Sequence, residues 1–358
     1  MIIIKLNISS VRNIIMAAVY PSPTLNFIVG KNASGKSAFL EAIFLLGRIK
    51  SFRSTAIKSV INSTQLELVV SAEILQMNGA TTHLGVQIDN KNYYCRINHQ
   101  TTHKKSDFAY ALPLQVIHPK SYELLDAAPQ LRREFLDWGV FNDDDKFLLN
   151  WRNYKKALAQ RNSLLKARSL NELNVWNNEL VYYGTIVNNF RQSYLQQFKP
   201  VFIEIVAKFL DLNDVDLRFL SGWNTDKDLL NVFTEDLDKD LRFGFTHSGP
   251  HRGDIQIIVG SRLAKDFVSR GQLKLLVMSL KLAQMQLLKN KHSNVGCFLI
   301  DDFAAELDII NRAKLLQYLI ELDCQVFITT TEPSDFGDLS HIKNYKMFHV
   351  EQGNIIQV

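Results

Sequence analysis

Gly30-Lys31-Asn32-Ala33-Ser34-Gly35-Lys36-Ser37 fits the phosphate-loop pattern G-x-x-x-x-G-K-[ST] at every required position. Before it, Leu25-Asn26-Phe27-Ile28-Val29 reads as a short buried strand. After it, Ala38 to Leu46 reads as an apolar helix in which only Glu41 is charged. Strand, glycine-bracketed loop and helix, in that order, are the context this pattern needs. The glycines let the backbone turn tightly, so that successive N–H groups point inward as an anion cradle. The positive end of the following helix faces the same point. Lys36 is expected to reach the β- and γ-phosphates of a nucleotide, and Ser37 to place its hydroxyl on Mg²⁺.

The 358 residues suffice for one large or two ordinary domains. Hydrophobic content of 46% and charged content of 22% are those of a soluble globular protein. No apolar run approaches the roughly 18 residues of a membrane span. The N-terminus alternates like a strand and lacks the small-residue exit of a cleavable signal. Cys95, Cys297 and Cys324 form no metal-ligand spacing. The expectation is a reduced, cytoplasmic protein with no membrane contact.

The net charge of +5 says little, but its distribution says more. Residues 146–168 hold seven Lys/Arg and no acid, and residues 42–66 hold Arg48, Lys50, Arg53 and Lys58, again without an acid; residues 226–240 are rich in acids. Such clusters suit a polyanion such as DNA, and equally describe a solvated helix face. On the first reading Arg48, Lys50, Arg53, Lys155, Lys156 and Arg161 are the candidate DNA contacts.

Residues 1–29 read as two or three strands. Residues 65–74 and 83–98 alternate apolar and polar side chains about an Asn78-Gly79 turn and predict an antiparallel sheet. Pro113 to His118 is a further strand, and Gln130 to Trp138 begins helically. From residue 143 to about 211 apolar residues recur at helical spacing, with a break near Ser169-Leu170-Asn171, which predicts a helical hairpin. Residues 215–220, 243–246 and 254–259 read as strands, 271–289 as a helix, and 296–300 and 325–329 as buried strands around a helix at 309–322. Short apolar strands alternating with helices imply a mostly parallel core sheet. The predicted organisation is a head bearing the phosphate loop over 1–142 and 215–358, with a helical arm lobe over 143–214.

Cys297-Phe298-Leu299-Ile300-Asp301-Asp302 is an apolar strand ending in two carboxylates. Asp301 at a strand end beside the phosphate loop can hold Mg²⁺ through water, and Asp302 can polarise the attacking water. The same pattern also arises where an Asp caps the next helix. Val268-Ser269-Arg270-Gly271-Gln272 opens the long helix as a second anion site. Two anion sites are surplus for one nucleotide in one subunit; they make sense if each subunit offers Ser269–Gly271 to the γ-phosphate held by another. An ordinary Ser N-cap is the alternative for these five residues.

The order phosphate loop, long insertion, S-R-G-Q, apolar strand with Asp-Asp, then Glu306-Leu307-Asp308 resembles ABC-type ATPases. The insertion resembles the branch that includes the structural-maintenance-of-chromosomes (SMC) proteins, although its hairpin is far shorter than their coiled coils. Residues 29–46, Ser51-Phe52-Arg53-Ser54, Arg132 to Gly139, Gly249-Pro250-His251-Arg252, Ser269 to Leu276 and Ile300 to Asp308 resemble the RecF family, in order and over nearly the entire chain. That resemblance implies an ABC-type α/β ATPase head with an antiparallel side sheet. It implies a bacterial DNA-repair protein that binds DNA when ATP is bound, acts with RecO and RecR to direct recombinase onto single-stranded gaps, and supports replication restart and SOS induction. Carried over by position, Lys36 and Ser37 belong to Walker A, Ser269 to Gln272 to the signature, Asp301 to Walker B and Asp308 to the D-loop.

Three departures follow from the resemblance. Asp302 stands where most ABC ATPases have Glu, as is usual in the RecF family, and its missing methylene moves the base back and fits slow hydrolysis; the resemblance implies that this ATPase is DNA-stimulated. Thr329-Thr330-Thr331 stands where transporters place a switch His, so sensing of the γ-phosphate has no assigned residue. Ala33 stands where the family often has Gly, a change the loop tolerates if φ there is negative. The expected mechanism is an ATP-gated homodimeric clamp on DNA. The rivals are a membrane-transporter ATPase subunit, which needs that switch His, an OLD-type nuclease, which needs an acidic C-terminal domain, and a DNA-binding scaffold with a vestigial ATPase.

Overall fold

The computed structural model describes residues 1–76, 78–291, 296–340 and 342–358. Glu306 of the predicted D-loop stretch has its side chain outside the described residues. The chain forms two compact units, residues 1–121 with 288–358, and residues 122–287.

In the first unit, Leu25–Val29 is buried at every position and lies inside a six-stranded sheet. Its neighbours, Gln325–Thr330 and Tyr345–Glu351, both run parallel to it. Cys297–Ile300 pairs in parallel with Gln325–Thr330 on one side and Leu114–Ile117 on the other, and Asn354–Gln357 closes the far edge antiparallel. Strands covered on both faces read as continuous apolar runs, which is why these segments lack alternation. Parallel registry has a functional consequence: Ile28 pairs with Thr329, and Ile300 with Ile328. The loop after Val29, Asp301 and Thr329 therefore emerge together at the carboxyl ends of adjacent parallel strands, where ligands of such sheets bind.

The second sheet of this unit is antiparallel, in the order Ile14–Val19, Ile2–Val11, Glu67–Leu75, Thr81–Asp89, Tyr93–Ile97, Gln100–Thr102. Residues 83–98, expected as one strand, are two: Asp89 accepts the N–H groups of Lys91 and Asn92 and turns the chain. Helix Lys36–Arg48 packs Phe39, Ile43 and Leu46, all fully buried, into a core shared with both sheets.

The second unit holds helix Pro129–Asp143, the helices Phe147–Ala167 and Leu173–Phe209, and most of helix Arg270–Lys291. It also holds the three-stranded sheet Arg262–Leu263, Asp254–Val259, Val215–Leu220. The hairpin expected as a lobe over 143–214 is part of this wider unit. Residues 243–246 are not a strand: helix Leu237–Phe243 ends at Gly244 with φ +73, and an irregular segment follows. No helix among the described residues is long and apolar enough to cross a membrane.

Arg161 is corrected as a DNA contact. It is fully buried in the second unit, and its guanidinium bonds Asp240 at 2.6 Å, Thr246 at 2.7 Å and Asn177 at 2.7 Å. An acid from the acid-rich stretch neutralises a cation from the basic one, as a buried charge requires.

Candidate nucleotide site

The phosphate loop is held by its neighbours. The Asn13 side-chain amide donates to the carbonyls of Ser34 at 2.9 Å and Ala33 at 3.3 Å, and the Gly353 N–H donates to Ser34 at 2.8 Å. A Cβ on Gly30 would sit 2.2 Å from the Val350 carbonyl oxygen, so only glycine fits. Gly35 has φ +121 and opens the helix. Ala33 has φ +63, so the condition of a negative angle, under which the loop tolerates alanine without strain, is not met. A left-handed L-residue costs roughly 1–2 kcal/mol, and the paired Asn13 bonds hold this one in place. Arg12 grips the buried Glu41 carboxylate with two nitrogens, at 2.9 and 3.0 Å, tying the loop's helix to the first turn of the chain; the Ser51 hydroxyl also donates to Glu41.

Lys36 is buried, and its Nζ donates to the carbonyls of Gly30 at 2.5 Å and Lys31 at 2.9 Å. Burial lowers its pKa, opposed by the charges of Asp302 and Asp301. The Ser37 hydroxyl donates to Asp301 Oδ1 at 2.9 Å, and so does the Thr329 hydroxyl at 2.9 Å. Thr329 Oγ1 also accepts the Asp302 N–H at 2.9 Å. Burial pushes the Asp301 carboxyl up, while the two hydroxyls and the charge of Arg53 pull it down. These groups line a cleft of about 650 Å³, within the size range of small-ligand sites. Asn32 and Ala33 form its exposed rim, Phe52, Arg53, His118 and Lys120 stand around it, and Lys31 is exposed but does not line it.

The cleft suits a triphosphate with a divalent metal. The buried Ser34 Oγ, within the loop, has no hydrogen-bond partner. The hydroxyl of Ser37 and the carboxylate of Asp301 are hard oxygen donors already in contact, the set that Mg²⁺ prefers.

Residues 2–356 match the family model described as RecF/RecN/SMC N terminal domain. A protein of Pseudomonas aeruginosa (strain PAO1) named DNA replication and repair protein RecF is 38% identical over 357 residues, covering 99% of this chain and 97% of that one. Its namesake in Shewanella sp. (strain MR-4) is 39% identical, with 99% of each chain covered. The chain belongs to the RecF family. The solved structure of the recombination mediator protein RecF-ATP in the RecFOR pathway superposes with a TM-score of 0.88 at 24% identity, covering 100% of this chain and 97% of that one. An SMC head bound to the C-winged helix domain of ScpA gives 0.61 at 14% identity, covering 100% and 98%. The fold is the ABC-type ATPase head that RecF shares with SMC heads.

Ser269 to Gln272, the expected signature, belong to the second unit. Ser269 N–H donates to Gln272 Oε1 at 2.9 Å and Gln272 N–H to Ser269 Oγ at 3.3 Å, a reciprocal cap on the long helix. The helix-cap reading and the signature reading are thus compatible. Ser269, Arg270 and Gly271 are exposed. Asp308 caps helix Ile309–Leu322 through Asn311, and those hydrogen bonds lower its pKa.

Of the other expected DNA contacts, Lys50, Lys155 and Lys156 are exposed. Arg48 turns inward and donates to the Leu114 carbonyl at 3.2 Å, so it is not a free surface cation. Arg53 stands at the nucleotide cleft. Three residues at the cleft have no local sequence signal for their place there. Asn13 holds carbonyls 20 and 21 positions away. Thr329 meets Asp301 across 28 positions. His118, which packs on Phe52 with ring centroids 5.4 Å apart, has no local sequence signal at all.

Proposed function

We propose that this chain is an ATP-dependent DNA-binding protein of recombinational repair, in which ATP binding gates a homodimer. The observation that carries the reading is the contact of Ser37 and Thr329 with Asp301 beside the loop lysine. It joins three segments far apart in sequence into one phosphate-and-metal cluster. The relatives' name, DNA replication and repair protein RecF, and the RecFOR pathway of the solved RecF-ATP structure support the biological setting. They also support RecO, RecR and DNA as partners.

The loop N–H groups would receive the phosphates of the substrate ATP, and Lys36 would leave the Gly30 and Lys31 carbonyls to follow the γ-phosphate. Ser37 and Asp301 would hold Mg²⁺, which when bound neutralises phosphate charge. Asp302 would orient the attacking water, its shorter side chain keeping turnover slow. Thr329, bonded to Asp301 and to the Asp302 backbone, would keep both carboxylates in register. In the signature, Ser269 Oγ accepts from Gln272, which leaves its own proton to donate to a γ-phosphate oxygen held by a second subunit. Hydrolysis would remove that oxygen and release the dimer. Lys50, Lys155 and Lys156 would contact DNA backbone.

The test measures subunit mass together with binding to gapped, single-stranded and duplex DNA, in ATP, in ADP and without nucleotide. Lys36→Met is expected to abolish ATP binding and ATP-dependent dimerisation. Ser269→Arg is expected to retain ATP binding and lose dimerisation; a Ser269→Arg protein that still dimerises ends the clamp.

A further inference from the structure

The outer face of the antiparallel sheet has a composition that the nucleotide site does not use. Along one row across the strands, Asn7 pairs with Ser71, Ser71 with Gly85, and Gly85 with Arg96. Leu68, Val70 and Ala72 point inward on one strand and Leu84, Val86 and Ile88 on the next, so this row faces outward. Gly85 sits mid-strand with no heavy atom within 4 Å of where a Cβ would be, and its φ is not in the left-handed range. Neither backbone geometry nor packing requires glycine there. An interior strand glycine weakens a sheet, and one such cause is the close approach of a ligand.

The glycine floors a hollow of about 240 Å³ whose rim includes Tyr94, Arg96, His83, His99, Asn7 and Gln87. Tyr94 is 42% exposed, and the rings of His83 and His99 lie 5.4 Å apart. Among the described residues Arg96 makes no ion pair, whereas the acids of this face are engaged, Glu73 by Lys5 and Glu67 by Gln87. From His83 to Lys105 the chain carries four Lys/Arg and three histidines against one acid, Asp89.

We infer that this sheet face is a stacking platform for an unpaired base of single-stranded DNA, Tyr94 supplying the ring face and Arg96 the contact to backbone phosphate. The inference rests on the DNA-binding reading above and specifies which strand form the head prefers at this surface. Sheet faces that combine an exposed aromatic ring with a neighbouring cation bind single strands in this way, because every base has a π-face. The hollow is below the roughly 300–1,000 Å³ of small-molecule pockets, so it takes one ring and not a whole cofactor. A duplex keeps its bases stacked on each other and cannot offer one.

The test measures affinity of the full chain with ATP for oligothymidylate and for a duplex of equal length. Tyr94→Ala and Gly85→Leu, the latter filling open space without touching the core, are each expected to weaken single-strand binding roughly 5- to 100-fold, the scale of one stacked base. Duplex affinity and ATP binding stay within about twofold, and Tyr94→Phe keeps the single-strand affinity. Unchanged single-strand binding in both variants overturns the platform. Equal loss on single strand and duplex also overturns it, because that pattern marks plain electrostatics or a protein-docking face. A wild-type chain that binds no DNA refutes the repair reading itself, and the platform with it.

Discussion

His251 sits on a residue-scale hydrogen-bond relay that fixes its protonation. Its Nε2 lies 2.9 Å from the Thr246 carbonyl, which can only accept, so Nε2 carries the proton and Nδ1 accepts from the Tyr154 hydroxyl at 2.6 Å. Burial lowers the pKa to about 4, helped by the charges of Arg252, Lys155 and Arg133 and opposed by the Thr246 bond. The folded value lies below the unfolded 6.5, so between those values the unfolded chain binds more protons. The stability from neutral His251 is complete above pH 6.5 and is lost as pH falls towards 4, about 3 kcal/mol at most. Denaturant unfolding at pH 7 and pH 4.5 is expected to show a smaller difference for His251→Asn than for the wild type. An equal difference would mean that His251 does not contribute to acid sensitivity. Nothing in Gly249-Pro250-His251-Arg252 as a string reveals this, because Tyr154 is 97 positions away.

At the scale of the element, helix Phe147–Ala167 separates its cations by face. Tyr154, Leu158, Arg161 and Leu165 recur at spacings of four, three and four and are all buried, while Lys155 and Lys156 are exposed. That periodicity was available in the sequence and places Arg161 on the core stripe. The seven cations of residues 146–168, taken as one run, conceal that stripe. Removing one partner of a buried ion pair leaves the other uncompensated, at a cost of about 3–5 kcal/mol. Arg161→Ala is therefore expected to lower unfolding stability by about that amount, with Lys155→Ala and Lys156→Ala each within about 0.5 kcal/mol of wild type by the same denaturation assay. The helix bounds themselves were legible, because a long run without Gly or Pro leaves few places to stop. The 243–246 segment was not: its apolar rings pack against each other and His247 in a loop, which mimics a strand in one dimension.

Across the whole molecule, charge is divided between what holds the chain together and what remains outside. Arg12, Arg132, Arg161 and Arg191 are engaged by Glu41, Asp254, Asp240 and Asp137, so the net +5 understates how completely the inner arginines are neutralised. The cations left to meet a polyanion are mainly surface lysines, which bind phosphate without reading sequence. Affinity for DNA is expected to fall linearly on a log–log plot against salt. The double variant Lys155→Ala with Lys156→Ala should make that slope shallower by roughly 1.5–2 if both meet phosphate. An unchanged slope moves the DNA path off this helix.

The loop at residues 30–37, the strand that feeds it and the start of the helix at Ser269 were determined by sequence alone. Each is a local arrangement, in which neighbouring residues set backbone angles and nearby hydrogen bonds. The left-handed angle at Ala33, the burial of Arg161 and the Thr329–Asp301–Ser37 cluster were decided only in three dimensions. They depend on partners 20 to 264 positions away, at Asn13, Asp240 and Asp301. What a loop can bind follows from its own residues; which neighbours orient it follows from the register of a parallel sheet, and no short window of sequence contains that register.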